Sequence, residues 1–221
     1  MAENFRRKKE ENELIKRFED HIKNRTPYFF ELDAFEEIIN HYLDRGKYTQ
    51  ALTAANLAMD QYPYSSELNL LKAQILSNLQ KYDEALDLLE QAENFQPADA
   101  EIYFLKGSVF ALQGDFMAAI HEYRKAEIYT EDKDEALYSI GLAFQSMEMY
   151  QEAIEAYKGV VELNISHEGA LYELAYCLDL MGDLEKSISY YKQFIDSDPY
   201  SQSAWYNLGI VYNKLEKSDL A

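Results

Sequence analysis

The chain has 221 residues, 48% of them hydrophobic, which is ample for a continuous apolar core. Forty Asp and Glu against 21 Lys and Arg give a formal net charge of -19, so a nucleic acid would meet a surface of its own sign and is disfavoured as a partner. A lone cysteine excludes a disulfide framework within the chain. No apolar stretch follows Met1 and no run approaches the length of a membrane span, so the expected setting is the cytoplasm, without a membrane partner.

Residues 1–31 differ in composition from residues 32–221. The first 25 hold eight Lys or Arg against six Asp or Glu, and Leu14, Ile15, Phe18 and Ile22 make a stripe at helical spacing, so a charged helix that caps the rest of the chain is expected here. Arg6-Arg7-Lys8-Lys9 is followed by Glu10, Glu11 and Glu13, the pattern of a solvated helix with ion pairs along its side. Thr26-Pro27-Tyr28-Phe29-Phe30 then breaks the helix and supplies three aromatics as packing between the cap and the next element.

From Leu32 a period of 34 residues takes over, marked by Ala51, Ala85, Ala119, Ala153, Ser187 and Ala221. A period this strict means that each unit is one supersecondary element that must stack on its neighbours to bury its apolar face. The units run 32–65, 66–99, 100–133, 134–167 and 168–201, with 202–221 as an incomplete sixth, and Pro63, Pro97 and Pro199 mark three of the junctions. Each unit carries two helical patterns, as in Trp205, Leu208, Gly209 and Tyr212 for a first helix and Tyr150, Ala153, Ile154 and Tyr157 for a second. Between them stand Gly46, Gln80, Gly114, Glu148 and Gly182, at a place suited to a left-handed turn. Each unit is therefore expected to be a helical hairpin.

Small residues mark close approach of the two helices, namely Gly107, Gly141, Ala175 and Gly209 on the first and Ala58, Ala92 and Ala126 late in the second. Asp33 stands three residues before Glu36 in a capping-box arrangement, and Ser65 and Ser201 are candidate caps. The last unit stops at Ala221, where its second helix would begin. The expectation is that further repeats follow in a longer chain, and that a first helix over about Gln202 to Leu215 leaves Trp205, Leu208 and Tyr212 partly uncovered.

The run Trp205-Tyr206-Asn207-Leu208-Gly209-Ile210-Val211-Tyr212 carries the pattern W-x-x-L-G-x-x-Y and resembles the tetratricopeptide repeat (TPR). The resemblance extends over Leu32 to Ala221 and rests on small, aromatic and proline signals in phase across five full units. Phe35, Asn69, Tyr103, Leu137 and Leu171 replace the Trp elsewhere. It implies an all-α fold, a right-handed α-α superhelix of five full hairpins plus the first helix of a sixth behind an N-terminal cap. It also implies a non-catalytic scaffold that binds a polypeptide in a concave groove lined by first helices.

At the groove places the sequence offers Leu70, Phe104, Tyr138, Tyr172 and Tyr206 in one row, Leu142, Tyr176 and Ile210 one turn on, and Glu101 and Glu135 at the edge. Apolar anchors with basic flanks are the expected ligand features. The Lys-Asn-Arg clamp with which some TPR domains hold acidic chaperone tails is missing, because its places hold Glu36, Asn40, Leu71, Glu101 and Leu105. His21, His41, His121 and His167 are scattered without metal-ligand spacing, and no nucleophile elbow or phosphate loop is present, so neither an enzyme nor a cofactor is expected. Cys177 shares a repeat place with Val109, Ala143 and Val211 and is expected in the core. Two other roles stay open from sequence: a homodimer through the last repeat, and the targeting arm of a longer enzyme.

Overall fold

The computed structural model describes residues 2–24 and 29–219, which form twelve α-helices; no strand occurs among the described residues. The chain falls into two compact units, residues 1–97 and 98–221, and the division lies within two residues of the repeat boundary at 99/100. The first contains α1 (Ala2–Asn24), α2 (Leu32–Leu43), α3 (Tyr48–Gln61), α4 (Ser66–Asn78) and α5 (Tyr82–Phe95). The second contains α6 (Ala100–Gln113), α7 (Phe116–Tyr129), α8 (Lys133–Ser146), α9 (Tyr150–Leu163), α10 (Glu168–Leu180), α11 (Leu184–Ser197) and α12 (Gln202–Asp219).

The hairpin turns follow one backbone rule. Lys47, Lys81, Asp115, Met149 and Asp183 each donate an N–H to the carbonyl five residues earlier, at 2.8–3.0 Å, which closes the preceding helix in a Schellman turn. That turn requires a left-handed residue just before the donor. Gly46, Gly114 and Gly182 take it at φ +66°, +82° and +82°, while Gln80 and Glu148 take it at +59° and +60° despite their Cβ atoms.

In the first unit α1 packs through Leu14, Ile15 and Phe18, with the Phe18 ring against Phe30, Phe35 and Tyr42. The Phe30 backbone is held at both ends, its N–H donating to Gln61 Oε1 (3.4 Å) and its carbonyl accepting from the Tyr62 hydroxyl (3.0 Å). Two expectations for this region change. Ile22 is exposed and is not part of the buried stripe, and Phe29 is exposed, its ring tilted against that of Tyr62. Thr26, Pro27 and Tyr28 of the connector lie outside the described residues, as does Ala221.

Capping also departs from the sequence pattern. The helix α2 starts at Leu32 with Glu31 as its N-cap, so Asp33 is already inside the first turn and forms no capping box. Ser65 does cap α4, accepting from the Leu68 N–H at 3.2 Å, whereas the Ser201 hydroxyl faces that of Ser203. In the second unit Asp99, Asp115 and His167 cap α6, α7 and α10 with side-chain acceptors.

The close approaches in that unit are built on aromatic rings. A Cβ placed on Gly107 would lie 2.5 Å from Cε1 of Tyr123, and one on Gly141 would likewise run into the Tyr157 ring. Each glycine is thus a notch that receives a tyrosine from the second helix of its own hairpin. Ala175 takes the same place on α10, where Ser187 of α11 donates to the Ala175 carbonyl at 2.8 Å. Cys177 is fully buried in the α9/α10 core.

Candidate peptide-binding groove

The first helices α8, α10 and α12 are tied side by side by polar bonds from their groove faces. Gln145 Nε2 donates to Glu173 Oε2 (2.8 Å), Asn207 Nδ2 to the Tyr172 hydroxyl (2.9 Å), and Lys214 Nζ to both oxygens of Asp179 (2.7 Å each). Asp179 is nearly covered while Lys214 stays half in water, so this bond fixes α12 on α10 and screens one acid at the groove end.

The row Phe104, Tyr138 and Tyr172 is only half exposed, and each ring leans on the second-helix tyrosine beneath it: Tyr123 at 6.3 Å, Tyr157 at 5.8 Å and Tyr191 at 5.7 Å between centroids. Tyr138 also lies 4.8 Å from the His167 ring. These three rings close their hairpins. More open is the neighbouring row: Leu142, Tyr176, Leu180, Tyr206 and Ile210 are between 36% and 71% exposed. Leu112 on α6 is exposed as well. Leu70 belongs to the first unit and is buried, offering little surface to a ligand. Leu112 and Leu180 were not among the sequence candidates; they recur at the thirteenth place of the repeat, one turn beyond Ser108 and Tyr176, and that spacing is the signal that finds them.

Carboxylates border this row. Glu101 and Glu135 are exposed near the starts of α6 and α8, and Glu173 sits half-buried on α10. Partial burial and then the Asp99 carboxylate hold the Glu101 carboxyl above the usual range. Residues 98–221 contain 22 Asp and Glu against nine Lys and Arg, a net of -13, so the field over the groove is negative. Burial pushes the Tyr138 phenol up, with Glu173 and Glu135 adding to it, which keeps it a neutral donor.

The corresponding region of the first unit has another character. A cavity of about 700 Å³ there is lined by Glu10, Glu11, Asp33, Glu36, Glu37 and Asp44, with Asn40 and His41, and His41 Nδ1 meets Glu11 Oε1 at 2.5 Å. Among the described residues no group of three or more His, Cys, Asp or Glu is arranged to hold a metal ion, and no helix is long and apolar enough to cross a membrane.

The arrangement defines an all-α repeat protein made of helical hairpins, whose first helices in the second unit carry half-buried aromatic rings beside more exposed apolar side chains. Tetratricopeptide repeat family models match residues 42–108 and 138–202, together more than half of the chain, and the chain belongs to the tetratricopeptide repeat family. No curated protein matches it at a significant level. Among solved structures it is similar to PilF of Pseudomonas aeruginosa (20% identity, TM-score 0.70, 85% of this chain and 85% of that one). It is similar to YrrB, described as a TPR protein with an unusual peptide-binding site (23%, TM-score 0.60, 74% and 84%). A third is MamA of Desulfovibrio magneticus RS-1 (18%, TM-score 0.63, 77% and 96%). These likenesses concern the fold. The family is one of protein-interaction scaffolds, and that coarse role is this chain's.

Proposed function

We propose that the second unit binds a polypeptide segment along α8, α10 and α12, taking apolar side chains against Leu142, Tyr176, Leu180, Tyr206 and Ile210. Lys or Arg residues flanking those anchors lie beside Glu101, Glu135 and Glu173. The observation that carries this reading is the row of exposed apolar side chains beside packed tyrosines, inside a negative field. Packed rings of this kind are rigid, so a bound segment loses its own freedom but costs the receptor little reordering. The role is that of a non-catalytic adaptor in the cytoplasm, and the peptide-binding description of YrrB is in keeping with it.

The test uses an array of synthetic peptides that vary apolar spacing and Lys/Arg flanks, read by fluorescence polarisation. Tyr176→Ala with Ile210→Ala removes exposed anchors and spares the packed rings, whereas alanine at Tyr138 or Tyr172 would also strip a ring from a hairpin core. Affinity for the best peptide is expected to drop at least tenfold in the double variant, and to weaken with added salt. Unchanged affinity in the double variant would remove the groove from consideration.

A further inference from the structure

Leu137 and Phe144 share one face of α8, and both are only half-buried. Their counterparts one repeat later, Leu171 and Leu178 on α10, are buried, as is Tyr103 of α6 at the Leu137 place. The difference lies in the second helix that packs against them. On α11 the counterpart of Ala156 is Tyr190, which packs against the core holding Leu178. On α7 the counterparts of Ala156 and Gly159 are Glu122, itself buried, and Lys125, whose Nζ stands 5.4 Å from the centre of the Tyr103 ring. On α9 both places are small: Ala156, and Gly159, where a Cβ would lie 3.2 Å from Leu137 Cδ1. No other second helix has small residues at both, since the pairs there are Ala54 with Leu57, Leu88 with Gln91, Glu122 with Lys125 and Tyr190 with Gln193.

The side chains that α9 lacks leave a groove of about 490 Å³ between α7, α8 and α9. Leu137, Phe144 and Ala156 give it an apolar lining, and Arg124 of α7 with Glu152 and Glu155 of α9 supply its charged rims. Two of those charges are already answered from their own helix: Arg124 Nη1 donates to Glu127 at 2.8 Å, and Glu155 accepts from Lys158 at 2.9 Å. The exposed Glu152 carboxylate has no ion-pair partner among the described residues.

We propose that this groove is a second docking site, for a segment of another protein that lays an aromatic side chain on Leu137 and Phe144 and a Lys or Arg beside Glu152. The occupant's chemistry is set by what fills the same place in the next hairpin, where the chain supplies the Tyr190 ring itself; at α9 the ring comes from outside. An aromatic anchor in an apolar pocket with a polar rim is the usual centre of a protein interface. The cationic flank answers Glu152 and is favoured by the acid excess of the second unit, 22 Asp and Glu against nine Lys and Arg in residues 98–221. The site shares no residue with the row of Leu142, Tyr176, Leu180, Tyr206 and Ile210, so it stands or falls apart from the groove reading.

The probe is a fluorescently labelled helical peptide of Ala and Lys with p-benzoylphenylalanine, a photoreactive aromatic, at its centre, and beside it the same peptide with Gly there. Both are titrated into the whole chain at physiological salt and read by polarisation, and crosslinks formed on illumination are mapped by mass spectrometry. The aromatic peptide is expected to bind at least tenfold more tightly than the glycine one and to crosslink within residues 137–159. Ala156→Tyr gives α9 the residue that α11 carries at this place and fills the groove from within; it is expected to lower the affinity at least tenfold with the helical circular dichroism unchanged. Glu152→Lys, at an exposed rim position, is expected to lower it at least threefold, and this result does not depend on how the larger Tyr is accommodated. The Tyr176→Ala, Ile210→Ala variant is expected to keep the crosslink. Equal affinity for the two peptides overturns the proposal, as does an affinity indifferent to Ala156→Tyr or to Glu152→Lys, or a crosslink confined to α10 and α12. Self-association of the chain that Ala156→Tyr abolishes, without binding of the aromatic peptide, overturns it in favour of a second copy as the occupant.

Discussion

Tyrosine-to-phenylalanine exchange at 123, 157 and 191 makes one chemical change at three equivalent repeat places, and the surroundings give each a different result. The Tyr157 hydroxyl donates to Gln145 Oε1 at 2.6 Å; that of Tyr123 meets Ser108 Oγ at 3.3 Å; that of Tyr191 is buried without a hydrogen bond of good geometry among the described residues, its polar neighbour Asn207 donating to the Tyr172 hydroxyl. A hydrogen bond of this type contributes about 0.5–1.5 kcal/mol net, while a buried polar atom left without one costs about 1–3 kcal/mol. Tyr157→Phe removes a short bond and leaves Gln145 Oε1 with only the Cys177 thiol at 3.5 Å, so a loss of about 1.5–2 kcal/mol is expected. Tyr123→Phe breaks a long bond whose other member already donates to the Phe104 carbonyl, and about 0.5 kcal/mol is expected. Tyr191→Phe removes this poorly bonded oxygen and should stabilise by about 1 kcal/mol, a rise in Tm of a few degrees for a unit of this size. Urea unfolding followed by circular dichroism ranks the three against the parent chain. A Tyr191→Phe variant that loses as much stability as Tyr157→Phe would refute the reasoning, because it would mean that ring packing alone, and not the hydroxyl's partner, sets these energies.

Stability is also expected to fall in alkali. The Tyr42 phenol is pushed up to about 12 by burial and then by Glu19, and the Cys177 thiol up to about 12 by burial and then by Glu173. Both groups ionise earlier in the unfolded chain, at about 10 and about 8.5 respectively, so the stability they contribute is complete below those values and drains away as pH rises toward 12. Tm measured from neutral pH to pH ~11.5 should decline, and a flat profile would contradict the burial described. Gln80→Gly and Glu148→Gly relieve left-handed Cβ strain of about 1–2 kcal/mol, offset in part by the entropy of glycine, so each should gain about 0.5–1 kcal/mol in urea unfolding. Cys177 should react with a thiol reagent only through unfolding, and its labelling rate at mildly alkaline pH should follow the unfolding rate under varied urea; rapid labelling of the native protein would place it nearer the surface than the core packing allows.

Local backbone geometry explains how much of this molecule was legible in its sequence. The period of 34, the paired helices and the five turns rest on contacts within a few residues, and even Gln80 and Glu148 were identified as turn residues by phase alone, although neither residue type prefers that conformation. Local signals misled where a second pattern competed with them: Asp33 and Glu36 have capping-box spacing, yet α2 has already begun at Leu32. The groove was legible as a set of repeat places and not as a surface. Phe104, Tyr138 and Tyr172 share a repeat phase with Tyr206, but the first three lean on second-helix tyrosines while Tyr206 stands in water.

The sequence by itself therefore determined the family, the paired helices and the turns between them, because these follow from spacing along the chain. Only the tertiary structure decided what covers each helix face. Gly107 and Gly141 hold a tyrosine ring where Ala175 at the same repeat place meets Ser187, and Tyr157 and Tyr191 are one residue at one repeat place, the first donating to Gln145 and the second without a hydrogen bond of good geometry among the described residues. Burial and polar pairing depend on atoms brought in by other helices, and a periodic sequence fixes the place of each side chain without fixing what arrives beside it.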